Sequence, residues 1–126
     1  MIIGIGTDIV DLARLKAAMT RNGEAFLRRV YTAAELAEAK DRPEYLGGRW
    51  AAKEAAAKAL GCGIGGECSF TDIEITDNSA GAPMITCTAP AATRLAEHCG
   101  KLHWHVSISH ERAYAVATVI IESCER

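Results

Sequence analysis

The stretch RWAAKEAAAKALG, residues 49–61, constrains the fold more than any other part of the chain. Six of its thirteen residues are alanine, the residue that loses least on entering a helix. Pro43 suits the first turn and Gly61 the C-terminal cap, which predicts one long helix over about 43–60. Lys53, Glu54 and Lys58 are the charged side chains set among those alanines. Glu54 and Lys58 are one turn apart and share a face, as a simple surface ion pair would. The alanines around them are expected to let a bulky ligand lie close to the helix.

The rest of the chain supplies strands and shorter helices. IIGIGTDIV (2–10) is short and β-branched, so it reads as a strand. Its even positions, Ile2, Gly4, Gly6, Asp8 and Val10, share one face. Two glycines are therefore expected to clear space beside Asp8. Asp11 can cap a helix through about Met19, with Leu12, Leu15 and Met19 at helical spacing. Phe26, Leu27 and Val30 suggest a short helix after it. Thr32 followed by Glu35 is a capping box for a helix to about Lys40. SFTDIEIT (69–76) alternates as a strand, DNSAG (77–81) turns, and PMITCTA (83–89) returns as the second strand of a hairpin. A helix from Pro90 to about His98 precedes the strands LHWHVSISH (102–110) and AVATVIIE (115–122). The order β-α-α-α-β-β-α-β-β, with hairpins, argues an α+β fold: a mainly antiparallel sheet with a long central helix.

A length of 126 residues suggests a single domain over 1–126, large enough to bury a core. Net charge is −2, so bulk electrostatics do not favour a nucleic-acid partner. No apolar run approaches the roughly 20 residues that span a membrane. Residues 12–30 carry Arg14, Lys16, Arg21, Arg28 and Arg29 against Glu24 alone. Such a local basic stretch suits either plain solvation or an acidic partner. The five cysteines are odd in number and form no CxxC pair, and no signal peptide precedes them. They read as reduced thiols of a cytoplasmic protein.

Several patterns compete for the chemistry. Asp8 on a glycine-cleared strand and Glu54 on an alanine-cleared helix would, if brought together, make a hard-oxygen site. Mg²⁺ favours such a site when phosphates supply its other ligands. A nearby lysine then serves as a phosphate partner. His98, His103, His105 and His110 fall within thirteen residues, but no standard zinc spacing is present. Ser107, Ser109 and His110 lack the G-x-S-x-G elbow of a serine hydrolase. GIGTDI lacks the third glycine of a dinucleotide fingerprint. GCGIGG (61–66) lacks the Lys-Ser or Lys-Thr of a P-loop and reads as a mobile loop.

Four blocks, taken together, resemble one family. GIGTDIV, GRWAAKEAAAKALGCGIG, FTDIEI and HVSISHERAYAVATVIIE stand in the order found in the bacterial holo-acyl-carrier-protein synthases, which are short phosphopantetheinyl transferases. The resemblance runs nearly end to end. It implies transfer of the 4′-phosphopantetheine arm of coenzyme A to a serine of apo acyl carrier protein, with Mg²⁺ as cofactor. It also implies a homotrimer with active sites between chains. By motif position, Asp8 and Glu54 would be the metal-binding carboxylates, and Lys58 would contact the phosphates. Arg49 and His110 would hold the nucleotide end of coenzyme A. Arg14 would meet the acidic carrier protein. For the base that takes the serine proton, Glu54, directly or through a metal-bound water, and Asp8 remain open. Trp50 stands where the family often has Phe. Cys62 and Cys68 flank the glycine loop where small or polar residues were expected.

Overall fold

The computed structural model describes residues 1–124. Its first turn of chain follows from one carboxylate. Asp11 ends β1 (Ile2–Asp11), and its Oδ1 accepts from the backbone N–H of Ala13 at 2.9 Å and of Arg14 at 3.3 Å, capping α1 (Leu12–Val30). The two helical stretches expected over 11–30 are both present within α1 and join at Gly23, whose φ of 58° and ψ of −138° are not helical. Thr32 and Glu35 form the capping box of α2 (Ala33–Ala39). The long helix, α3, spans Pro43–Leu60 with Gly61 as a left-handed cap. A hairpin of β2 (Ile73–Asp77) and β3 (Pro83–Cys87), α4 (Pro90–Cys99), β4 (Lys101–His110) and β5 (Tyr114–Cys124) follow. The segment expected to be strand from residue 69 instead begins as a 3-10 turn over Phe70–Asp72. Asp72 there accepts from the N–H of Ser69 at 3.0 Å, which holds the turn closed. The α+β class and the element order match expectation, but the antiparallel strands divide into two sheets. β1-β5-β4 form one and β2-β3 the other.

α3 lies on the inner face of the three-stranded sheet. Its alanines are core residues: Ala51, Ala52, Ala55, Ala56 and Ala57 are wholly buried. This corrects the expectation that they leave room for a ligand. The glycines of β1 do not leave open space either. A β-carbon on Gly6 would sit 1.9 Å from the carbonyl oxygen of Ala55, and one on Gly4 would sit 2.2 Å from that of Ala59. Helix backbone fills the room that the glycines clear. Small residues on both partners let the elements meet at backbone distance, where dispersion contacts are dense.

A buried ion pair ties the other side of α3 to its neighbours. Lys53 and Glu35 are both fully buried, with Nζ and Oε1 2.8 Å apart. Lys53 also donates to the carbonyl oxygens of Phe70, at 2.9 Å, and Ile73. Glu35 accepts from the N–H of Thr32 at 2.8 Å and of Ile75 at 2.7 Å. The pair thus joins α2, α3 and β2 with its polar atoms satisfied. Burial pulls the Lys53 pKa below its usual value, and the Glu35 charge opposes that pull.

Lys53→Met removes the cation and leaves a carboxylate in the core. We expect a loss of about 3–5 kcal/mol in chemical denaturation. Combining it with Glu35→Gln should cost less than the sum of the two single changes. A loss near zero for Lys53→Met would remove the pair as a structural tie.

Candidate active site

The fold brings Asp8, Glu54 and Lys58 together. Asp8 faces α3 from the same side of β1 as Gly4 and Gly6, so the close approach of the helix sets its surroundings. Lys58 reaches across to β1: its Nζ lies 3.2 Å from Asp8 Oδ1 and donates to the carbonyl oxygen of Thr7 at 2.9 Å. The ion-pair partner of Lys58 is therefore Asp8, on another element, and not Glu54 one turn away. The Lys58 ammonium is half exposed and has a third N–H to offer. Thr7, Asp8, Ile9, Lys58 and Val116 line a shallow cavity of about 280 Å³.

Glu54 is half-buried beside this pair. Burial raises its pKa above the usual carboxylate value, the Asp8 charge raises it further, and Lys58 partly opposes both. A carboxylate whose ionised form is disfavoured, beside a second carboxylate that lines a cavity, suits a hard cation. Among the described residues no group of three or more His, Cys, Asp or Glu side chains could hold a metal. A cation at Asp8 and Glu54 would therefore draw further oxygens from a ligand, as Mg²⁺ does at phosphates. His103 and His105 lie on the exposed face of β4, where His105 Nε2 is 2.9 Å from Glu122 Oε1 across the strand pair.

Arg49 and His110 share a cavity elsewhere. They line a cavity of about 370 Å³ together with Tyr45, Gly48, Asp77 and Ile108. Gly48 lets β4 come close, since a β-carbon there would sit 2.7 Å from Ile108 Cγ2. Arg49 is buried against the ring of Tyr45, its guanidinium carbon 3.9 Å from the ring centroid. Arg14 lies on a third surface, an apolar groove of about 350 Å³ lined by Ile9, Leu15, Phe26 and Trp50. Trp50 sits between Phe26, at a centroid distance of 5.8 Å, and Phe70, at 4.8 Å. Trp50, where the family often has Phe, thus also lines this groove. Arg14, Lys16, Arg21, Arg28 and Arg29 are all exposed. Within one chain, the carboxylate–lysine cluster and the Arg49–His110 pair open to separate cavities.

Sequence reasoning left three residues out of the site. Tyr45, Glu38 and Asp77 surround Arg49, with Arg49 Nη2 2.8 Å from Tyr45 Oη and 2.7 Å from Asp77 Oδ1. Tyr45 and Arg49 are four apart on α3, a spacing that could have flagged that contact. Asp77 comes from a distant hairpin and carries no sequence signal.

Known proteins resemble this chain in sequence and in fold. The sequence matches the 4′-phosphopantetheinyl transferase superfamily over residues 4–119. It is 52% identical over 126 residues to a holo-(acyl-carrier-protein) synthase of a Shewanella species, covering 98% of each chain. The fold superposes on the Helicobacter pylori holo-(acyl-carrier-protein) synthase solved with coenzyme A, with a TM-score of 0.85 and 35% identity, over 94% of this chain and 99% of that one. For the Bacillus anthracis holo-(acyl-carrier-protein) synthase solved with coenzyme A (3′,5′-ADP) the TM-score is 0.82 at 37% identity, over 98% and 99% of the two chains.

The raised Glu54 pKa sets the sign of a stability effect. Between the unfolded and the folded pKa the native state binds more protons, so stability falls as pH rises through that window. In metal-free protein Glu54→Gln should remove this decline and melt no lower than the parent at neutral pH. Added Mg²⁺ should raise the melting temperature of the parent but not of the variant. A variant that melts well below the parent at pH 7, or one equally raised by Mg²⁺, would contradict the assignment.

Proposed function

The chain belongs to the 4′-phosphopantetheinyl transferase superfamily, and on that premise we infer that it moves the 4′-phosphopantetheine group of coenzyme A onto a serine hydroxyl of apo acyl carrier protein, releasing adenosine 3′,5′-bisphosphate. The observation that carries this reading is the convergence of Asp8, Glu54 and Lys58 from two elements that the sequence holds fifty residues apart. Phosphoryl-type transfer needs alignment, charge neutralisation and an acceptor for the nucleophile's proton. These three residues can supply all of it.

Asp8 and Glu54 would hold Mg²⁺, and the bound ion would neutralise phosphate charge and polarise the attacked phosphorus. Lys58, anchored by Thr7 and Asp8, directs its free N–H at the bridging oxygen, where charge grows as the bisphosphate leaves. Glu54 is our choice of base. Asp8 is the alternative base. Arg49 and His110 hold the nucleotide end of the cofactor. Arg14 and the exposed arginines beside it steer the acidic carrier to the groove next to Asp8.

A homotrimer with sites between chains accounts for two observations. Ile5 and Ile9 on the outer face of β1 are 65% and 62% exposed, and Val116 beside Ile9 is 38% exposed. Such exposed apolar side chains, interrupted by Thr7 and Thr118, suit burial against a further copy. The carboxylate cluster and the Arg49–His110 cavity, separate within one chain, can then face each other across the contact. Among the described residues no helix is long and apolar enough to cross a membrane; a single domain over residues 1–126 working in the cytoplasm is part of the proposal.

Intact-protein mass spectrometry of apo carrier protein, incubated with coenzyme A, Mg²⁺ and this protein, tests the reading. The carrier should gain one phosphopantetheine group, and chelation of Mg²⁺ or Asp8→Asn should reduce the rate at least about 100-fold. Retained activity in Asp8→Asn would remove Asp8 from the metal site. No gain with a competent carrier and folded protein would favour a module that binds coenzyme A without turnover. In the same assay Arg14→Glu should raise KM for the carrier about tenfold or more at low salt, leave KM for coenzyme A unchanged, and lose its effect at high salt. An equal change in both KM values would take Arg14 off the partner surface. Sedimentation at three chain masses is expected for the assembly, and a monomer would rule it out.

A further inference from the structure

The cavity around Arg49 is not simply cationic. Arg49 Nη2 lies 2.7 Å from Asp77 Oδ1 and 3.7 Å from Glu38 Oε1. The backbone N–H of Asp77 in turn contacts both Glu38 carboxylate oxygens, at 3.2 and 3.3 Å. One guanidinium therefore already faces two carboxylates. Its engagement is incomplete, because Arg49 Nε is buried without a hydrogen-bond partner. The fork meets Asp77 through one nitrogen, a weaker contact than the paired bonds an arginine can give a carboxylate or phosphate.

The supports of Arg49 and of Asp77 differ. Arg49 is held in its plane by the Tyr45 ring and hydroxyl, on its own helix and independent of Asp77. Asp77 is the last residue of β2, at the hairpin turn, and its side chain is 36% exposed. The carboxylate can withdraw into solvent while the guanidinium stays in place. A phosphate that enters this cavity meets Asp77 as a like charge close to the cation it seeks, and such juxtapositions are costly where water is partly excluded.

We propose that Asp77 sets the affinity of this site for the anionic end of the nucleotide: its carboxylate occupies Arg49 when no phosphate is present and competes with the phosphate for it. The proposal rests on the reading of Arg49 as a nucleotide-binding residue. Its chemical consequence is selectivity. A ligand that carries a phosphate at this position can displace Asp77, whereas one without it leaves the internal pair intact and gains nothing from Arg49. Substrate and bisphosphate product share that anionic end, so the same competition keeps the product from binding too tightly to leave.

Calorimetric titration with adenosine 3′,5′-bisphosphate, with adenosine as the uncharged control, tests this on the full chain. Asp77→Asn should tighten bisphosphate binding about five- to twentyfold and leave adenosine unchanged. Arg49→Gln should weaken bisphosphate binding, and adding Asp77→Asn to it should have no further effect. A residue that merely latches the hairpin would give weaker binding on substitution, so the sign of the change separates the roles. Unchanged or weaker binding in Asp77→Asn, with Arg49→Gln still impaired, would overturn the proposal and leave the Arg49 reading standing. Parent-like binding in Arg49→Gln would overturn both. Should Asp77→Asn fail to fold, Asp77→Ser carries the same expectation.

Discussion

Two missing β-carbons set the distance between α3 and β1. With Gly4 and Gly6 on one side and the Ala55 and Ala59 turns on the other, helix backbone rests almost directly on strand backbone. A methyl group at either glycine would overlap a carbonyl oxygen, which has nowhere to go inside a hydrogen-bonded helix. That contact fixes the height of α3 above the sheet. Asp8 is two residues beyond Gly6 on the same face, and Lys58 is on the turn of α3 that Gly6 contacts. The length of a lysine side chain then spans the gap to the strand. The candidate active site is a by-product of that packing: its geometry is inherited from a contact made wholly of small residues.

The same helix separates structure from chemistry by facing. Lys53 points into the core and serves α2 and β2, while Glu54, the next residue, sits half-buried beside Asp8. Neighbours on a helix differ by about 100° in direction, so adjacent charges can have unrelated environments. Lys53 has a full set of partners and little reason to move. Glu54 has a nearby like charge and a pKa raised first by burial and then by that charge. Arg49, one further turn toward the N-terminus, shows a third arrangement, a buried cation shared among a phenol and two carboxylates.

Local signals carried most of the element assignments. Asp11, the Thr32–Glu35 box, Pro43 and Gly61 each act on backbone groups within a few residues, so their effects can be read in one dimension. The 3-10 turn at Phe70–Asp72 was missed because alternation in FTDIEI resembles a strand, whereas the Asp72–Ser69 bond closes a turn first. The alanines misled for a different reason. A bare helix face serves equally for ligand approach and for close packing, and only the partner decides. The Lys58 pairing was misread likewise: spacing of four suggested Glu54, but the strand offered Asp8 and a carbonyl oxygen together.

By itself, then, the sequence determined the bounds of α2, α3 and α4, the faces on which Asp8, Glu54 and Lys58 stand, and, through its motif blocks, the family. Helix propensity, capping and side-chain periodicity are short-range properties, and the chain states them directly. Only the tertiary structure decided that the glycines of β1 receive a helix and not a ligand, that Lys53 is spent on Glu35, and that Asp77 comes to rest on Arg49. Those outcomes depend on which surfaces meet across long loops. The energy that selects them, close packing and charge compensation away from water, exists only once the elements are assembled.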